Sequence, residues 1–420
     1  MKRFLYGLGV VVIIVIIVLI GYWLRPNGTP ATQTVSEGTP GGLPQDQLGT
    51  GTVGNGTQSN GTTGGANATT SISTTGGRTF GLVYDKPISS YFIPTTSTDN
   101  TLIVQKDGQI VSVGQDKKTN ALSAAPIPTL IKSSFSYDGL KILVVIGDNL
   151  QKQFSVFDIQ SKAWQTLTAN IGDAVWAPDS ETVAYLKINA DGAYQLATQN
   201  YKTYKQGPKL LAVLSANDLV IDWMNPGIIA INERSSLRTT GSLFLFNIKS
   251  SILTTIANGE YGAMAKWDPS GTQSVVFTTT KNYPAPALTI RSASGTATNI
   301  LSFVTLPEKC FFEKETDPTL PATSTIYATP WKTASRFVLC GIPQKNSSFD
   351  ARKLPDAYQK NSLYTDDGIY RIDLTNGDME LLMQDSNIHI DLANPQAKNR
   401  ALYFRNRYDD KLYFLSLAIP

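Results

Sequence analysis

The sequence predicts an all-β fold, a seven-bladed β-propeller, and three observations carry that expectation. First, short turn motifs led by an aromatic residue recur: Ser134-Phe135-Ser136-Tyr137-Asp138-Gly139, Val175-Trp176-Ala177-Pro178-Asp179-Ser180, Asp222-Trp223-Met224-Asn225-Pro226-Gly227 and Lys266-Trp267-Asp268-Pro269-Ser270-Gly271, with a weaker fifth at Asp391-Leu392-Ala393-Asn394-Pro395. Second, lead residues 135, 176, 223 and 267 stand 41, 47 and 44 apart, close to the period of about 40–45 residues at which propeller blades repeat. Third, each turn is followed by an apolar stretch of strand length (142–146, 182–186, 228–231, 274–278).

The chain divides into three parts by composition. Residues 1–26 read as a signal-anchor transmembrane helix. Residues 4–24 carry no charge, and at 1.5 Å per residue they span about 31 Å, enough to cross a hydrocarbon core. Residues 10–20 are almost wholly β-branched, yet in lipid a helix is the one single-segment way to satisfy the backbone. Tyr22 and Trp23 stand at the interfacial position, and the apolar run ends in Tyr-Trp-Leu-Arg-Pro, which offers no small-residue cleavage site. Lys2 and Arg3 precede the span and Arg25 follows it, so the N-terminus is expected in the cytoplasm and the rest outside. Residues 27–78 are rich in Gly, Thr, Ser and Asn, with Glu37 and Asp46 as the charges before Arg78. Such a tract buries too little apolar surface to offset its ordering entropy and is expected to be a disordered stalk.

Residues 79–420 are the expected propeller domain. Their length suits seven blades of about 45 residues, with six or eight left open. A strand–turn–strand signature recurs beside the aromatic-led turns, most plainly in Ile369-Tyr370-Arg371-Ile372-Asp373-Leu374-Thr375-Asn376-Gly377, running into residues 379–383. Pro presets φ in the aromatic-led turns, Asp accepts nearby amides and Gly takes the left-handed position. The aromatic itself is expected to wedge between neighbouring blades. The last blade shows three strands before the chain ends, so residues 80–84 are expected to supply its fourth and close the ring, which removes the exposed edges.

These turns and the Tyr-Arg-Ile-Asp-Leu-Thr-Asn-Gly hairpin resemble the TolB-type, WD-repeat-like propellers. With the anchor, the stalk, Lys86-Pro87-Ile88, Glu308-Lys309-Cys310 and Cys340-Gly341-Ile342-Pro343, the chain also resembles membrane-anchored propeller proteins of uncharacterised candidate-phylum bacteria. The likeness implies a fold and carries no assigned function.

Cys310 and Cys340 fall on expected neighbouring strands, where facing Cα atoms come within disulfide range, and an extracytoplasmic address permits oxidation. A disulfide is expected, with two buried thiols as the alternative. Segments 313–335 and 344–365 read as loop insertions, and Trp331 and Tyr358 within them are the expected partner contacts.

Charge is mixed, 36 basic against 33 acidic residues, which leaves no electrostatic footprint for nucleic acid. A single histidine, His389, occurs in the chain. No Gly-x-Ser-x-Gly elbow, Walker loop or His-Glu-x-x-His motif is present. The acidic pairs Asp366-Asp367 and Asp409-Asp410 read as solvated turns. The expectation is therefore a domain without enzymatic activity, cofactor or metal, which binds a protein, peptide or envelope polymer outside the cytoplasm. A hydrolase or lyase using carboxylates in the channel is the alternative.

Overall fold

The computed structural model describes residues 78–94, 100–148, 151–202, 207–216, 218–313, 333–344, 349–385 and 387–417, with the backbone of Ser73–Thr75. The expected anchor, nearly all of the expected stalk and Trp331 lie outside the described residues. Among the described residues, no helix is long and apolar enough to cross a membrane.

The described part of the chain is all-β, and its strands form six hydrogen-bonded sheets. Sheet I holds Ile88–Phe92, Thr101–Gln105, Ile110–Val113 and Thr119–Ala121. Sheet II holds Leu130–Phe135, Lys141–Gly147, Lys152–Asp158 and Trp164–Thr166. Sheet III runs from Ile171–Trp176 to Lys209–Leu214, and sheet IV has seven strands from Leu219–Asn225 to Ala297–Ile300. Sheet V holds Cys310–Glu313, Phe337–Pro343, Asp367–Asp373 and Met379–Met383. Sheet VI holds Leu392–Lys398, Ala401–Asn406 and Leu412–Ser416, then takes Arg78–Tyr84 and Ser73–Thr75 from the other end of the chain. Sheet IV is long because one strand, Ile252–Trp267, serves two neighbours. Its first half pairs with Thr240–Asn247 and its second, from Tyr261, with Gln273–Thr279.

Apolar residues on both faces of the middle strands bury against the next sheet along the chain. Val183, Ala184, Tyr185 and Leu186 are all essentially inaccessible. Seven hydrophobic clusters result, each joining consecutive stretches of sheet. The cluster of Tyr84 and Leu412 with Ile88, Ile103 and Val111 joins sheet VI to sheet I, so the series returns on itself. First strands of successive sheets, such as Ile88–Phe92 and Leu130–Phe135, lie against each other and form the inner wall. The architecture is a β-propeller.

The aromatic-led turns join first to second strands, and their indoles wedge between sheets. Trp176, Trp223 and Trp267 are buried, each in a cluster that joins two successive parts of the ring. Trp176 Nε1 donates to the Ser134 carbonyl of sheet II at 3.1 Å. In the Trp267 turn, Asp268 Oδ1 accepts the Ser270 amide at 2.8 Å and Gly271 takes φ +75°, as the turn chemistry requires. The fifth motif is not such a turn. Leu392 begins a strand, Asn394-Pro395 forms an irregularity inside it, and the reversal comes at Asn399-Arg400, both at positive φ.

Cys310 and Cys340 face each other in register and are joined by a disulfide, with Cα atoms 4.2 Å apart. The bond closes a loop of sequence separation 30, for which chain entropy gives about 3–4 kcal/mol. Changing both cysteines to serine is expected to lower unfolding free energy by about 2–4 kcal/mol, read by urea denaturation. A change below about half a kcal/mol would mean that the second strand pair is held without the bond.

Candidate functional site

The two insertions leave opposite ends of sheet V. Segment 314–336 joins Cys310–Glu313 to Phe337–Pro343 at the end that carries the aromatic-led turns, whereas 344–366 joins Phe337–Pro343 to Asp367–Asp373 at the other. The expectation placed partner contacts on both, and Trp331 in the first lies outside the described residues. Tyr358 in the second is misplaced by that expectation. It is 4% exposed and belongs to the core beneath the second insertion.

Residues 349–366 fold as a strap across the end of the ring. Leu354, Tyr358 and Leu363 bury against Phe277, Leu306 and Phe312. Asp356 Oδ1 accepts the Leu237 amide at 2.9 Å, from the second-to-third strand loop of sheet IV. Arg407, in the corresponding loop of sheet VI, donates to the Tyr358 carbonyl at 3.0 Å and to Asn361 Oδ1 at 2.8 Å. The strap therefore ties sheets IV, V and VI together.

Beneath it lies a buried ionic centre. Lys309 enters from the short 3-10 turn Pro307–Lys309, which leads into the first strand of sheet V. Its Nζ contacts Asp367 Oδ2 at 2.6 Å and Asp391 Oδ1 at 2.7 Å, and it donates to Thr365 Oγ1. Asp391 Oδ2 is held by Arg407 Nη1 at 2.8 Å. Asp367 Oδ2 also accepts the Leu392 amide at 2.9 Å. The Lys309 ammonium is 5.0 Å from the centre of the Tyr358 ring, and the Arg407 guanidinium lies 3.6 Å from that centre. Two cations and two carboxylates thus balance where no water layer screens them.

Burial raises the Asp367 carboxyl to about 6, helped by Asp391 and opposed by Lys309. The folded state then binds a proton more tightly than the unfolded chain, so ionised Asp367 costs stability. That cost is absent below about pH 4 and complete above about pH 6, on the order of 2–3 kcal/mol. Against an Asp367→Asn reference, wild-type stability is expected to rise as pH falls from 7 to 4. A flat difference by chemical denaturation would show that Lys309 offsets desolvation, and a fall would show that it outweighs it. Glu308 is exposed to water, yet desolvation by surrounding protein raises its carboxyl, with Arg407 and Lys309 pulling the other way.

Outside the centre stands an aromatic shelf. Tyr364 and Tyr408 rings lie 5.4 Å apart, and His389 lies 5.7 Å from Tyr408. All three are open to solvent, and Arg407 sits 4.9 Å from the Tyr364 ring. His389 Nδ1 is 3.2 Å from Asp366 Oδ2. The sequence reading put both members of each acidic pair in solvated turns. Asp366 is so placed, but Asp367 is buried in the ionic centre. Asp409 accepts the Tyr413 hydroxyl at 2.7 Å, and Asp410 pairs with Lys106 at 2.8 Å. Among the described residues, no group of three His, Cys, Asp or Glu side chains is placed to hold a metal ion.

No family model matches the sequence, and no curated relative matches it. Solved structures do. Oligogalacturonate lyase from Vibrio parahaemolyticus aligns with TM-score 0.54 at 9% identity, over 83% of this chain and 96% of that one. An oligogalacturonate lyase in complex with manganese aligns with TM-score 0.53 at 10% identity, over 83% and 96%. TolB from Acinetobacter baumannii is 17% identical over 50% of this chain and 53% of that one, with TM-score 0.35. Identities this low, with the two lyase alignments above a TM-score of 0.5, speak for the fold, a β-propeller, and not for the chemistry. The expectation of a domain without enzymatic activity is nevertheless overturned. It rested on missing catalytic motifs, and lyases are built on this very architecture.

Proposed function

We propose that the domain is a seven-bladed propeller that binds a protein, peptide or envelope polymer on its Tyr364–Tyr408–His389 shelf. The single observation that carries this reading is an exposed three-ring platform fixed on a fully buried ionic centre, since pre-organised aromatic side chains make binding anchors at low entropic cost. Seven blades are supported by counting Ile252–Trp267 as the outer strand of one blade and the inner strand of the next, in line with the seven clusters. The uncharged run at 4–24 tethers the propeller to a membrane with the ring outside the cytoplasm, as in the anchored propellers the sequence resembles. The test is photo-crosslinking in intact cells with the full chain. A crosslinker at Tyr408 is expected to capture a discrete product that one at Tyr283, on another loop, does not. Equal capture at both positions would remove the shelf from the reading.

A second reading has its own observation. Glu308 is exposed to water at the strap end of the ring and has a raised carboxyl, as a proton-donating acid requires, and this favours a carboxylate-based hydrolase or lyase. Glu308→Gln separates the two: lost turnover of a cell-envelope polysaccharide with retained binding supports catalysis.

A further inference from the structure

A cleft lies on the outer wall, between sheets I and II. The last strand of sheet I, Thr119–Ala121, is only 3 residues long. The outer half of the facing sheet is therefore covered only by the chain that follows. What remains is a cleft of about 540 Å³, well within the size of ligand pockets.

Its floor is one face of sheet II. Gln153, Ser155 and Phe157 alternate along Lys152–Asp158, and Trp164 and Thr166 stand opposite Phe157 and Ser155 in register. Trp164 is 49% exposed, on the free edge strand of the sheet. Its indole lies 4.8 Å from the Phe157 ring, which holds it in place. A large half-exposed indole is poor economy for a core and good chemistry for a ligand with one apolar face.

The polar groups beside it are lightly engaged. Gln153 Nε2 and Ser155 Oγ both donate to Thr166 Oγ1, at 3.3 and 3.4 Å. Bonds at the long limit are readily exchanged for a ligand hydroxyl. Charge narrows the ligand further. Lys162 is the one charged lining residue, and its ammonium is tied to the Leu122 carbonyl at 2.7 Å. No carboxylate lines the cleft to take a cation. We infer that this cleft binds a neutral sugar unit of a polysaccharide, the ring on Trp164 and its hydroxyls on Gln153, Ser155 and Thr166. A proline-rich peptide fits less well, because it docks in grooves walled by several exposed aromatics.

The site is on sheets I and II, so it stands or falls separately from the shelf on sheets V and VI. The test uses the full chain in detergent, with cellohexaose, maltohexaose and chitohexaose as probes and trigalacturonic acid as the acidic control. Saturable binding of at least one neutral oligosaccharide is expected, followed by calorimetry. Trp164→Ala should weaken it by about tenfold or more, the scale of one lost aromatic contact, and Tyr283→Ala, on an exposed loop outside both sites, should leave it unchanged. Gln153→Ala, a change at the cleft rim, gives an independent second reading with a smaller loss. Failure of all three neutral probes, preference for the acidic one, or loss on Tyr408→Ala but not on Trp164→Ala would overturn the assignment.

Discussion

Lys309→Met is expected to destabilise the domain by about 3–5 kcal/mol, because it strands two buried carboxylates that now share one ammonium. Asp391 would keep Arg407, but Asp367 would be left with the Leu392 amide and no counter-charge. Lys309 and Asp367 have side chains 1% and 0% exposed, so water cannot take the place of the lost partner without opening the strap. Removing both members tests the cause. Lys309→Met with Asp367→Asn should recover most of the loss, since a buried pair replaced as a unit is often nearly neutral. Chemical denaturation of the single and double variants reads the coupling. A single variant within about 1 kcal/mol of wild type would mean that the centre is hydrated and the shelf above it is not rigidly founded.

How far the sequence disclosed this arrangement depends on the range over which each signal acts. The aromatic-led turns are local: Pro, Asp and Gly fix the backbone within six residues, and the indole needs only a neighbouring sheet. Trp176, Trp223 and Trp267 were legible for that reason. Asp391-Leu392-Ala393-Asn394-Pro395 carries similar letters, but there Asn394 at positive φ serves an irregular strand, and composition alone cannot separate the two uses. Tyr358 failed for a different reason. A polar-looking insertion between strands suggests an outer loop, whereas here it folds back and buries Leu354, Tyr358 and Leu363 against sheets IV and V. The ionic centre draws Lys309, Thr365, Asp367, Asp391 and Arg407 from four separate stretches. A faint signal did exist in the charges just before buried runs, at Lys309-Cys310 and at Ile390-Asp391-Leu392. Without a register between sheets, nothing in the sequence told which of these charges would meet.

The other large effect concerns how the ring closes. Arg78–Tyr84 pairs antiparallel with Leu412–Ser416, placing Phe80 opposite Leu415 and Tyr84 opposite Leu412. Phe80 is fully buried and stacks 5.5 Å from Tyr413, while Tyr84 joins the cluster shared with sheet I. The strand therefore supports two inter-sheet clusters at once, and Arg78 adds bonds to the Leu417 carbonyl and Glu380, both at 2.7 Å. Deleting residues 78–84 should expose the Leu412–Ser416 edge and abolish cooperative unfolding of the domain, because a ring of sheets loses its packing on both sides of a gap. Phe80→Ala tests the same point in a chain that can still close, with an expected loss of about 3–5 kcal/mol. A deletion variant that melts cooperatively within a few degrees of wild type would show that the last sheet is stable on three strands, and that the N-terminal strand is an accessory rather than the closure.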